Sequence, residues 1–405
     1  MSVGHAPTDS PPAAAQEPQP HAVGSWRRIT QRDLGPFAVI AGIVLIWIVF
    51  QSQNANYLSV RNLSNLTLQM AATGILAIGV VMVLIAGEID LSLGSVAGAG
   101  AALLGVLLTQ HGWPAWAAII VTLGFGLCAG LLQGVVTVLV GVPSFLVTLG
   151  GFLAFFGLQL ALVGSAGQIP INDPSVLAIA NDYVGAAVSW TGVAVIAAML
   201  AGVAVARRRA WIAAGVKPPP AWRSALAVVA PVAALIALVA YLNRYLGASY
   251  LLVILLGLIT LLGWVTRRTV YGRHLYAVGG NAEGARRAGV KVAAIRVSVL
   301  ALSGLLAGLA GIVTASRLYS VDSSLGGGTL LLEAIAAAVI GGTSLFGGRG
   351  RVYHALLGAL VIVSIENGLD LLGQSAATKN IATGIILVLA VCIDAVTRRR
   401  RGQRP

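Results

Sequence analysis

Charge is scarce in this 405-residue chain, with only 10% of residues being Asp, Glu, Lys or Arg against a mean hydropathy of +0.90. Soluble domains carry about 25% charged residues, so a water-soluble globule is excluded. There are 2 cysteines, which excludes a disulfide framework. Cys128 and Cys392 fall inside apolar runs and read as small hydrophobes. The 3 lysines, Lys217, Lys291 and Lys379, never follow a suitable glycine, so a Walker A phosphate loop is missing. His5, His21, His111, His274 and His354 are scattered with no metal-ligand spacing, and neither a G-x-S-x-G elbow nor an H-E-x-x-H motif occurs. These absences argue against an enzyme, against ATP hydrolysis by this chain and against a resident metal or cofactor.

Long apolar runs fill the space. They are continuous, rich in Leu, Ala, Ile, Val and Gly, and lack the alternation of barrel strands. Only helices or closed barrels satisfy the backbone in lipid, so the sequence predicts an all-α, polytopic helical integral membrane protein. The expected spans are 36–51, 69–87, 92–109, 115–140, 145–163, 185–206, 225–242, 250–266, 295–315, 330–347, 352–371 and 377–397, about twelve. The tenth is short enough to be a pair of half-helices or a re-entrant segment. Residues 1–25, rich in Pro, Ala and Gln, read as a disordered cytoplasmic tail without a signal-peptide core. Residues 26–400 form the membrane domain, with a polar loop at 267–295, and 401–405 end a basic tail.

The net charge of +13 invites a nucleic-acid reading, but its distribution answers to membrane orientation instead. Basic residues cluster before the first span (Arg27, Arg28, Arg32), at Arg207–Arg209 with Lys217 and Arg223, between Arg267 and Arg296, at Arg349 and Arg351, and at the C-terminus (Arg398–Arg401, Arg404). With these segments inside, both termini are cytoplasmic and the number of crossings is even. Asp394 is one helical turn from Arg398 and is expected to pair with it.

Polar residues at membrane depth are the candidate functional groups. In GEIDLSLGS, Glu88 and Asp90 have no basic neighbour in sequence, while Ser92, Gly94 and Ser95 favour a break or close helix approach. This segment reads either as a broken-helix element beside a translocation path or as a re-entrant turn whose carboxylates cap the next helix. In GVPSFLVTLGG, Pro143 stops one helix and Ser144 is a candidate N-cap for the next, with Thr148 one turn on; an ordinary turn is the alternative. A second glycine-rich break, IGGTSLFGGRGRV, carries Gly342, Thr343 and Ser344 and excludes a regular helix. Glu366 and Asn367 read as lining a polar interior or as interhelical glue. In the polar loop, after Gly279 and Gly280, Asn281 is expected to cap a brief helix bearing Glu283, Ala285 and Arg286, which Gly289 ends. The alternative is a turn whose arginines only follow the positive-inside bias.

The segments GEIDLSLGS, VPSFLVTLGG, YAVGGNAEGARRAGV and AAAVIGGTSLFGGRGRV, in this order, resemble the permease subunits of bacterial ABC-type monosaccharide importers, and the resemblance covers nearly the whole chain after the tail. It implies a pore subunit in the bacterial cytoplasmic membrane that forms a homodimer, docks cytoplasmic ABC ATPase subunits that bind ATP and Mg, and receives sugar from an extracytoplasmic binding protein. It also implies that Glu283, Ala285 and Gly289 belong to the helix that contacts the ATPase. The chain looks most similar to the xylose branch: an insertion of about fifty residues around Arg207–Arg223 adds two spans to a ten-span core, and Glu88 stands where relatives commonly have Gly. Gly284 departs from a common Ala and should loosen the loop helix slightly. The alternatives are the same role for ribose or arabinose, or a proton-coupled secondary sugar transporter using Glu88, Asp90 or Glu366.

Overall fold

The computed structural model describes residues 35–400 except Gly328; the N-terminal tail, with its histidines and first basic cluster, and residues 401–405 lie outside the described residues. In chain order the helices are α1 (Gly35–Gln53), α2 (Val60–Ile85), α3 (Leu93–Thr109), α4 (Ala115–Val140), α5 (Ser144–Val163), α6 (Pro174–Asn181), α7 (Ala186–Ala213), α8 (Ala221–Leu242), α9 (Tyr250–Arg268), α10 (Val270–Gly280), α11 (Ala282–Arg287), α12 (Val292–Leu318), α13 (Thr329–Ile340), α14 (Tyr353–Leu371) and α15 (Ala376–Arg400). Each of the twelve predicted segments contains a helix. Among the described residues, eight helices are long and apolar enough to cross a membrane alone; α1, α3, α13 and α15 contribute shorter apolar stretches.

Three boundaries differ most from expectation; one is the end of α7, which runs to Ala213 rather than stopping near 206, so Arg207–Arg209 lie on the helix and not in a turn. The second helix begins at Val60 rather than near 69, because Ser59 accepts the Asn62 N–H as an N-cap. Its polar first turns find partners inside the protein: Asn62 Nδ2 donates to Asn367 Oδ1 (2.7 Å). The tenth segment is one 12-residue helix that stops at Ile340, and twelve residues at 1.5 Å each span only about 18 Å. Residues 341–352 follow as an irregular loop, with Gly342, Gly347, Gly348 and Gly350 at positive φ.

Short antiparallel pairs tie one end of the bundle together. β1 (Gln168–Pro170) pairs with β4 (Ser320–Asp322), joining the ends of α5 and α12. β2 (Tyr183–Val184) pairs with β3 (Ala248–Ser249), closing the α7–α8 hairpin against α9. The loops after α2, α4, α10 and α13 lie at the opposite end.

The core is α2 and α12. In its most apolar window α2 is 89% buried and α12 is 72% buried, whereas α7 and α8 are 6% and 11% buried. The inserted pair is therefore a peripheral hairpin. The tightest crossing joins α12 to α4: a Cβ on Gly126 or Gly130 would run into the carbonyl oxygens of Gly304 or Leu300. Glycines at four-residue spacing let the two backbones touch, the small-x-x-x-small geometry of membrane helices. Both cysteines are free and exposed on helix surfaces.

Candidate functional site

The segment linking α2 to α3 folds into a polar knot at the loop end. Asp90 is buried. Its Oδ1 accepts the Ser92 N–H (2.9 Å) and lies 2.7 Å from Ser92 Oγ, and its Oδ2 accepts from Ser303 Oγ of α12 (2.7 Å). Ser92 Oγ also lies 2.9 Å from Gln133 Oε1 on α4, and Ser95 Oγ donates to the Ser92 carbonyl (2.9 Å). Glu88 is 7% exposed and meets Arg296 of α12 at 2.6 Å. The apparent isolation of these carboxylates in sequence is thus corrected: the cation arrives from a distant helix, and the other compensating groups are hydroxyls. Of the capping role expected for the carboxylates, what remains is the short Asp90–Ser92 turn immediately before α3.

Ser144 is not the N-cap expected of it. Pro143 occupies that position without a side-chain bond. The Ser144 hydroxyl instead accepts the Ile89 N–H (3.1 Å), and Thr148 Oγ1 accepts the Leu91 N–H (3.1 Å). The GEIDLSLGS loop is therefore held by the first turns of α5, its irregular backbone satisfied by two hydroxyls one helical turn apart.

Along α5 the buried residues are Ser144, Thr148, Gln159 and Val163. A mostly polar seam thus faces α3. Gln159 is fully buried and donates Nε2 to the Asp322 carbonyl (2.9 Å). Its Oε1, together with Gln133 Nε2 and the hydroxyls of Thr122 and Thr137, finds no partner among the described residues. Gly98 and Gly326 make room for Gln159. Gln133, Gln159, Ser303 and Arg296 were not singled out from sequence. A lone amide within an apolar span was the available signal.

The three glycine-rich motifs converge beside this knot. Gly348 N–H donates to the Ile85 carbonyl (3.0 Å). A Cβ on Gly279 would collide with that same carbonyl oxygen, and one on Gly347 would come within 2.8 Å of Gly87 Cα. Glycine is required here because three backbones cross in contact. Tyr276 of α10 adds a tie, its hydroxyl donating to the Gly350 carbonyl (2.7 Å). Burial pushes the Tyr276 hydroxyl above its ordinary pKa, against the pull of the Arg267 and Arg351 charges.

The loop helix has the expected form. Asn281 Oδ1 accepts the Gly284 N–H (2.8 Å), α11 runs for six residues, and Gly289 takes φ +83° beyond its end. Glu283 meets Arg286 (2.7 Å) and Arg287 (3.0 Å) at the surface. Ala285 is the buried residue of α11, and Gly280 lies against Gly348.

Other predicted candidates lie elsewhere. Gly94 packs against Leu331 of α13. Thr343 lies 3.4 Å from His354 Nδ1, and Ser344 Oγ accepts the Phe346 N–H. Glu366 and Asn367 are near the strand end of α14. Asn367 exchanges hydrogen bonds with Asn62 (2.7 and 3.1 Å), and Glu333, close to Glu366, accepts from Thr73 Oγ1 (3.3 Å). This second polar cluster joins α2, α13 and α14 and is separate from the knot at Asp90. The side chains of Asp394 and Arg398 are outside those described.

A bundle of apolar helices, interrupted by short helices and glycine loops around buried polar seams, is the architecture of a multi-pass helical membrane protein. The chain belongs to the family described as branched-chain amino acid transport system / permease component, which matches residues 62–391. It is 37% identical over 383 residues to the xylose transport system permease protein of Escherichia coli strain K12, covering 93% of this chain and 96% of that one. The Haemophilus influenzae protein of the same name is 36% identical, covering 91% and 98%. The ribose import permease protein of E. coli K12 is 30% identical, covering 88% and 92%. No solved structure matches the chain.

Proposed function

We propose that this protein is the pore subunit of an ATP-driven ABC importer of the bacterial inner membrane that carries a neutral monosaccharide, D-xylose first among them. The observation that carries the reading is the 37% identity across 93% of the chain to a xylose permease. The seam chemistry supports it. Sugar hydroxyls both donate and accept, and the amides of Gln133 and Gln159, each with a buried atom that lacks a partner among the described residues, supply matching groups at low charge.

The family description favours a second cargo, an amino acid. A zwitterion is best matched by groups of both signs in the path. Glu88 is already matched by Arg296, and Asp90 by two serines and a backbone N–H, which favours the sugar.

In this reading the end bearing the basic turns faces the cytoplasm, and α11 contacts a partner ATPase that binds and hydrolyses ATP with Mg. Two copies of the chain form the pore, and a soluble binding protein delivers sugar to the strand end. Movement of α11 reaches the membrane interior through the crossing at Gly279, Gly347 and Gly87, which adjoins Glu88 and Asp90. Reconstitution tests this directly. Uptake of labelled xylose, ribose, arabinose and leucine is measured with the chain alone, then with ATPase and binding protein, with and without ATP. Xylose uptake that needs all components is expected. Uptake by the lone chain driven by a proton gradient, which would draw on Glu366, overturns the proposal. Substituting Glu283 or Gly289 should weaken ATPase association while leaving membrane insertion intact.

A further inference from the structure

At the loop end, outside the Asp90 knot and the glycine crossing, a cavity of about 260 Å³ opens between the end of α9 and the start of α14. This approaches the lower end of the range of small-molecule clefts, roughly 300 Å³. Its floor is basic: Arg267 and Arg268 end α9, and Arg351 precedes α14 by two residues. Its wall is the membrane-facing side of α9, where Ile259, Thr260, Gly263 and Trp264 lie one to two turns before the arginines.

The spacing explains the shape. Thr260, Gly263, Trp264, Arg267 and Arg268 stand at i, i+3, i+4, i+7 and i+8, so they share one helix face. Gly263 leaves the hollow. Trp264, 58% exposed, occupies the level just inside the charges where indole rings favour a membrane interface. Val253, 49% exposed, continues the apolar track along the same face. Arg351 is held in place, its Nη1 donating to Tyr353 Oη (3.0 Å) with the guanidinium 5.8 Å from that ring's centre. The Tyr276–Gly350 bond fixes the adjoining loop. No carboxylate forms an ion pair with Arg267 or Arg268 among the described residues.

A ligand for this cavity must present a compact anion at the membrane boundary and an apolar body running up the side of α9. An acidic protein surface supplies the anion without the apolar body, and a free phosphate likewise. We infer that the cavity binds the headgroup of an anionic glycerophospholipid, its phosphodiester against Arg267, Arg268 and Arg351 and an acyl chain along Thr260 and Val253. Orientation bias accounts for arginines at this boundary, but not for their arrangement around a hollow with an apolar wall. The lipid would sit beside the Tyr276–Gly350 tie, so its occupancy would stiffen the approach to the glycine crossing.

The test uses the purified full-length chain and does not depend on transport, so its failure would leave the sugar-importer reading standing. Native mass spectrometry compares retention of phosphatidylglycerol and phosphatidylcholine with identical acyl chains. The pocket variant is R267Q/R268Q/R351Q; the control, R207Q/R208Q/R209Q, removes three charges from the same end on α7. Phosphatidylglycerol preference should fall about fivefold for each pocket arginine removed, the fold-change equivalent to about 1 kcal/mol per basic residue at an anionic surface, and remain in the control. Equal retention of the two lipids, or equal losses in the two variants, overturns the inference. Displacement of the lipid by millimolar inorganic phosphate would point to a free-anion site and also overturn it. So would lipid retention left unchanged in the pocket variant. Should the pocket variant fail to fold, a photoactivatable phosphatidylglycerol on the wild-type chain decides: labelling within 253–268 supports the site, and labelling only elsewhere refutes it.

Discussion

The central helices and the inserted hairpin are almost equally apolar and entirely different in placement. Mean hydropathy is 2.3 for α2 and 2.1 for α12, against 2.1 for α7 and 2.6 for α8. Yet the first two are the most enclosed of the eight long spans and the last two meet the surroundings over nearly their whole length. Hydropathy does not sort them because lipid tails are as apolar as leucine. What sorts them is size and polarity. The α12 face that meets α4 carries Gly304 and Gly308, and its other faces carry Ser303 and Arg296, whose partners exist only inside the protein. Gly192 and Gly202 of α7, by contrast, have no atom near the place a Cβ would occupy.

The strongest way to break this contrast is to enlarge one glycine in each region. Gly130→Leu drives a side chain into the Leu300 carbonyl and forces α4 from α12. Overpacking alone costs about 1–3 kcal/mol, and separating two backbones should exceed that, so folded, monodisperse protein is expected to be lost. Gly202→Leu should leave yield and melting temperature unchanged or slightly improved. Comparable losses from both would show that α7 is packed after all. Size-exclusion profiles and thermal melts in one detergent read the difference.

Removing one partner of the Glu88–Arg296 pair comes next. Arg296→Met leaves a buried carboxylate facing α12 without its cation, whereas Glu88→Gln leaves an arginine that is 38% exposed and can reach water. The first should cost about 2 kcal/mol, below the 3–5 of a fully enclosed pair, and the second less. The double variant should recover part of the loss. Additive losses in a double-mutant cycle would mean that the two groups do not interact.

Gly347→Ala sharpens the comparison at the loop end. It adds a Cβ at φ +86° within 2.8 Å of Gly87 Cα, and strain of this kind costs about 1–3 kcal/mol. In the proposed importer, ATP-dependent sugar uptake in the reconstituted assay is expected to fall by more than the melting temperature would suggest. Proportionate changes in both would reduce the crossing to a packing feature.

Helical content, the helix breaks at 87–95 and 342–344 and the capped loop helix at 281–289 were legible in the sequence because each has a local cause: an apolar run, a glycine cluster, a cap. Two kinds of feature were not. Arg296 read as one more orientation arginine, since nothing within one helix indicates that a distant loop places Glu88 beside it. Ser144 read as a cap because its sequence neighbours permit one, while the Ile89 N–H that takes its lone pair comes from the loop before α3. The α4–α12 contact was not anticipated either, although glycines recur at 126, 130 and 134 and at 304 and 308, because such spacing names a packing face without naming its partner. Glu366 belongs to a different cluster from Glu88, a separation that only the three-dimensional fold exposes.

The smallest expected effect lies where neither core nor lipid contributes. Among the residues of α11 only Ala285 is buried, and six residues are too few to hold a helix by propensity. The Asn281 cap, the turn at Gly289 and the surface pairs of Glu283 must hold it instead. Exposed pairs contribute little, so the cap should dominate. Asn281→Ala should weaken α11 by about 1 kcal/mol, which corresponds to amide exchange about fivefold faster across 284–287. The amides of α12 should be unchanged. Asn281→Asp should restore protection, because the carboxylate can accept the same Gly284 N–H and suits a helix N-terminus. If Glu283→Gln accelerates exchange more than Asn281→Ala, the ion pairs rather than the cap organise this helix.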